Sequence, residues 1–104
     1  MKSNLPFTIS ASARERLRRA SILSEPIDAA FHIGKSEIDG QQAEESIHLC
    51  GYPKGVLDER TFFDVAGLRI SIPDNVLKVL AGHELIVEER TMEGGRKYDF
   101  LWIT

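Results

Sequence analysis

The segment 68-LRISIPDNVLKVLAGHELIVEE-89 decides how the rest of the chain is read. Leu68, Ile70 and Ile72 alternate with Arg69 and Ser71, the period-two pattern of a half-buried strand, and Pro73 stops it. Asp74 then stands where a helix can be capped. Val76, Leu77, Val79 and Leu80 supply the helix with apolar contacts, and Gly82 suits its C-terminal end. Leu85–Glu89 returns to a strand pattern. Strand, short helix and strand within 22 residues predict a mixed α and β architecture.

Working outward, Phe62, Phe63 and Val65 form an apolar patch upstream, and Met92-Glu93-Gly94-Gly95 supplies a glycine-rich hairpin turn downstream. In the last strand Tyr98, Phe100 and Trp102 share one face and Leu101 and Ile103 the other. Two apolar faces predict a central strand or a subunit contact, and with it homo-association. Phe31 and Ile33 mark an earlier strand, and Ile47 and Leu49 alternate with His48 and Cys50 in another. The polar run Glu37–Ser46 reads as a loop or an exposed connection and Gly51-Tyr52-Pro53-Lys54-Gly55 as a turn cluster. Near the N-terminus Phe7-Thr8-Ile9 reads as a short strand. Ser12 and Glu15 have the spacing of a capping box, and Ala13, Leu17, Ala20 and then Ile22 or Leu23 give a helical apolar stripe that must end before Pro26. The expectation is one α+β domain over residues 1–104, with an N-terminal helix and a second short helix.

The chain has 104 residues, 42% hydrophobic and 28% charged, which excludes collagen-like, disordered and disulfide-framework classes. Residues 1–24 carry five basic side chains and one acid, a local charge of +4 on a chain of net charge −3. A short basic patch on an acidic body is not the footprint of a nucleic-acid binder. No stretch approaches the roughly 20 apolar residues of a membrane span, and Met1–Phe7 lacks the apolar run of a signal peptide. The single cysteine, Cys50, forms no intrachain disulfide and suits a reducing compartment, so a soluble cytoplasmic protein is expected.

Several small motifs resemble one family. The stretches 7-FTISASARERLRR-19, 31-FHIGKSE-37, 62-FFDVAGLRISIPDNVLKVLAGHELIVEE-89 and 96-RKYDF-100 are similar, in order and content, to the HesB-type A-type carriers of iron–sulfur cluster assembly. Leu80-Ala81-Gly82-His83-Glu84-Leu85 resembles the family's Leu-x-Gly-x-x-Leu stretch, and Gly95–Phe100 its late glycine-led strand. The resemblance covers most of the chain and is thinnest from Asp39 to Arg60. It implies a HesB-like domain in which an N-terminal helix precedes mixed β-sheets. It also implies three ligand cysteines, one in the loop after the strand resembling Phe31–Lys35 and two in a Cys-Gly-Cys tail. Here that loop reads Ile38-Asp39-Gly40-Gln41-Gln42, and the residues through Thr104 hold no such tail. No ligand residue carries over. Clusters are held by thiolates, normally four, and a dimer of this chain offers two. The expectation is a cysteine-poor, non-enzymatic relative of the carriers. It would act as a binding or accessory module without a cofactor, its partner a second copy or another protein.

The alternative is a small metal-binding protein using Cys50, His48 and His32. Cys50 and His48 are two apart and share a strand face, and His32 joins them if its strand pairs alongside. A buried thiol beside two imidazoles is the plainer reading. His83 follows a predicted helix end, where a cation is favoured by the dipole. Glu88 and Glu89 point to opposite strand faces and cannot converge as catalytic carboxylates. Asp58-Glu59-Arg60 reads as a solvated surface. Gly94-Gly95 lacks the spacing of a phosphate loop. Arg14, Arg16, Arg18 and Arg19 form either a solvated helix face or a docking face for an acidic partner.

Overall fold

A computed structural model describes residues 4–20, 27–38, 40–92 and 94–104. The described elements are β1 (Thr8–Ile9), α1 (Ala11–Arg18), β2 (Ile27–Ile38), β3 (Gln41–Pro53), a 3₁₀ turn (Glu59–Thr61), β4 (Phe62–Val65), β5 (Leu68–Ser71), α2 (Asp74–Leu80), β6 (Glu84–Thr91) and β7 (Lys97–Ile103). The architecture is α+β: one seven-stranded, mixed, curled sheet forming a half-barrel, with two helices. Its strand order is β1-β6-β7-β3-β2-β5-β4. The β1–β6 and β2–β5 pairs are parallel and the others antiparallel.

Both helices turn an apolar stripe to the same core. Ala13 and Leu17 of α1 and Val76 and Leu80 of α2 meet Phe31, Ile47, Ile70, Leu85 and Leu101 from the sheet, all buried. Burying these side chains contributes about 1.5–3 kcal/mol for each large one. β7 lies between β6 and β3, and residues on both of its faces, Phe100 and Leu101, are buried.

The start of α1 differs from the predicted capping box. The cap is Ser10, whose hydroxyl accepts the Ala13 N–H at 3.1 Å, while Ser12 contacts the Ser10 hydroxyl. Ser10 also donates its own N–H to the Leu85 carbonyl at 2.9 Å, so the β1–β6 pairing runs to Ser10 and the helix begins directly after it. The helix ends at Arg18; Ile22, Leu23 and Pro26 lie outside the described residues. At α2 the cap position is Pro73, not Asp74, and no side chain caps it; the Pro73 carbonyl accepts from Val76 and Leu77.

The run Glu37–Ser46 is not a loop. β2 and β3 continue to Ile38 and Gln41 as a long hairpin turning at Gly40 (φ 78°), with a bulge between Lys35 and Glu37. Its side chains are polar because the projecting end meets water on most sides, while the backbone is satisfied by cross-strand pairing. Gly51, Tyr52 and Pro53 belong to β3 rather than to the following turn. Pro53 fits there because it pairs with Ile27 at the strand's end, where a missing N–H is tolerated.

The β4–β5 turn places Ala66 (φ 55°) and Gly67 (φ 84°) in the left-handed region, the pattern of a type I′ hairpin. A Cβ on Gly67 would meet nothing within 4 Å, so any cost of Gly67→Ala is backbone strain. We expect that variant to lose about 1–2 kcal/mol in urea denaturation. An unchanged midpoint would contradict this.

Candidate functional site

The β2–β3 register brings together the residues singled out in the sequence. His32 lies directly opposite His48, and Cys50 opposite Ala30, so all three side chains share one sheet face. They do not converge. The Tyr52 hydroxyl hydrogen-bonds His32 Nε2, and the two rings lie 5.5 Å apart. His48 Nε2 lies 3.0 Å from the Gly34 carbonyl, 3.1 Å from Ser46 Oγ and 3.4 Å from Ser36 Oγ. Along the hairpin, Tyr52 and Gly34 are on opposite sides of the histidine pair, so the imidazoles lean apart. Among the described residues no group of three or more His, Cys, Asp or Glu side chains is placed to hold a metal. His32, His48 and Cys50 thus share a face without forming one such group. Cys50 is a half-buried free thiol.

The other candidates have structural roles. His83 Nδ1 donates to the Thr104 main-chain oxygen at 2.6 Å, fastening the start of β6 to the end of β7. Glu88 pairs with Arg90 at 3.1 Å and Glu89 with Lys97 at 3.7 Å, on opposite faces as expected. Asp58 caps the 3₁₀ turn through the Arg60 N–H at 2.9 Å and meets the Arg60 guanidinium at 2.9 Å. The side-chain bond from Arg60, then its backbone bond, hold the Asp58 carboxyl below the usual range. A depressed carboxyl favours the folded state above the ordinary carboxylate range and loses that contribution as pH falls through it. Gly94 and Gly95 form the β6–β7 turn, closed by Gly95 N–H to the Met92 carbonyl at 3.0 Å. Of the arginine set, Arg16 pairs with Asp99 through both carboxylate and carbonyl, and Arg19 stands 3.8 Å from Glu15. Arg14 and Arg18 are exposed, with no ion pair among the described residues.

The feature not visible in the sequence is a groove. β3 and β7 pair only at Ile47–Leu101. Beyond that pair, Glu44 of β3 ties to Arg90 of β6 at 2.7 Å, and the Arg90 guanidinium lies over the Phe100 ring. Between the parting strands and the C-terminal end of α1 is a groove of about 590 Å³. Leu17, Leu49 and Phe100 give it apolar walls; Ser36, Ser46 and His48 give it polar ones; Arg16 and Arg19 lie along it.

The chain matches no family model, no curated protein and no solved structure. Among the described residues no helix is long and apolar enough to cross a membrane.

Proposed function

We propose that this chain is a non-catalytic binding or accessory module with a HesB-like fold, related to the A-type iron–sulfur carriers but not holding a cluster in their manner. The element order supports the kinship. After the two-residue β1 an N-terminal helix precedes the other six strands, and the Leu68–Ser71 strand leads into a short helix and then a glycine-turned pair of strands, in the order the resemblance implies. The placement of the one thiol carries the functional half of the proposal. Cys50 lies within β3, opposite Ala30, while the hairpin turn that would present a ligand cysteine is built around Gly40 and contains none. Soft thiolates are what select iron–sulfur clusters, and one per chain is too few for the usual site.

The module would act in a reducing compartment, on a second copy of itself or on another protein. The metal-binding alternative has less behind it, because both imidazole Nε2 atoms are engaged away from Cys50. Metal analysis of untagged protein and of Cys50→Ala tests this. We expect substoichiometric and equal metal in both; one equivalent of metal, lost on removing the thiol, would contradict the proposal.

A further inference from the structure

The sheet ends at β1, and among the described residues no strand pairs with its outer side. The direction of its free main-chain groups follows from the parallel pairing with β6. Thr8 and Ser10 donate their N–H groups to the His83 and Leu85 carbonyls at 3.1 and 2.9 Å. Ile9 stands between them, so its N–H and C=O point away from β6, to the open edge. An open groove of about 640 Å³ lies at this corner. Leu5 and Ile9, both half-buried, give it apolar surface, and Arg14 of α1 borders it.

Helix α1 places two cations on this side. Arg14 and Arg18 are four residues apart and so are neighbours on one flank of the helix. Both are exposed, and neither has an ion pair among the described residues. The other arginines of the helix have acids near them: Arg16 meets Asp99, and Arg19 stands 3.8 Å from Glu15. Like charges at a spacing of four work against an eight-residue helix, so the Arg14–Arg18 pair adds nothing to the fold.

We propose that the β1 edge takes an extended acidic segment of another protein as an added strand. Its main chain pairs with the Ile9 N–H and C=O, its apolar side chains lie against Leu5 and Ile9, and its carboxylates meet Arg14 and Arg18. A second copy of the chain does not supply such a segment. The other end of the sheet, β4, carries one acid, Asp64, whose carboxylate already accepts the Gly67 N–H at 2.9 Å. The proposal rests on the binding role given above and names the chemistry of the partner; kinship with the carriers does not enter it.

The probe is a capped octapeptide of alternating valine and glutamate, titrated into the isotope-labelled full chain and followed by NMR. Two control peptides replace every glutamate with glutamine or every valine with glycine. At saturation we expect hydrogen exchange at the Ile9 N–H to slow by about fivefold or more. Each control peptide should bind about fivefold more weakly or worse. Arg14→Gln combined with Arg18→Gln should weaken the valine–glutamate peptide by the same factor and leave the glutamine peptide unchanged. Both positions are exposed, so the variant should keep the parent's thermal midpoint. No binding at about 1 mM peptide, an unprotected Ile9 N–H while the peptide binds, equal affinity for the glycine peptide, or affinity unmoved in the double variant would each overturn the proposal. None of these results bears on metal or cluster content, which tests the reading it rests on separately.

Discussion

Phe31→Ala is expected to leave the protein largely unfolded, or to shift its urea midpoint far toward zero. Phe31 is fully buried at the centre of β2, opposite Leu49, in the cluster that joins both helices to the sheet. Truncating a phenylalanine in such a place costs about 3–5 kcal/mol, the lost transfer energy plus the cavity left behind. Domains of this size have only about 5–15 kcal/mol in total. Val56→Ala serves as the control, since Val56 is 64% exposed, and it should fall within about 0.5 kcal/mol of the parent. A Phe31→Ala loss below about 1 kcal/mol would mean that the core is not where the fold places it.

Leu17→Ala should have the next largest effect, and it should be local as well as global. Helix α1 has eight residues, too few to be helical alone in water. Its buried anchors are Ala13 and Leu17. The Arg16–Asp99 pair also holds it, but exposed ion pairs contribute at most about 1 kcal/mol. Removing the leucine should cost about 2–5 kcal/mol. Amide hydrogen exchange should show α1 losing protection while β2 and β3 keep theirs. Uniform loss across helix and sheet would show instead that α1 and the sheet open as one unit.

The parts of the fold that could be read in advance were those where apolar periodicity and a breaker coincide. Leu68–Ile72 with Pro73, the α2 stripe closed by Gly82, and the two-faced β7 are of this kind. In the first two, one side of the element meets the core; β7 buries residues on both of its faces. The hairpin end failed for the opposite reason. Glu37, Gln42, Glu44 and Glu45 are all exposed, so no alternation marks them as strand, and only backbone pairing across the hairpin makes them so. The α1 cap was misplaced by two residues: Ser10 and Ser12 are both cap residue types, and Ser10 N–H pairing with the Leu85 carbonyl of a distant strand, which local spacing does not show, places the helix start directly after Ser10. At the candidate site, the shared face of His48 and Cys50 followed from strand period, whereas the place of His32 opposite His48 depended on the β2–β3 register. Their failure to converge depends on Tyr52, Gly34, Ser36 and Ser46, and the direction in which a ring leans has no signature in spacing. The groove depends on how far β3 and β7 pair, a property of sheet curvature rather than of either strand.

The central claim is that this scaffold lacks the sulfur to hold an iron–sulfur cluster in the carriers' manner. Anaerobic incubation of the full chain with ferrous iron and sulfide, followed by desalting and visible absorption, tests it directly. The account predicts colourless protein with neither iron nor acid-labile sulfide retained in proportion to chain. A stable brown product carrying both in stoichiometric amounts would contradict it.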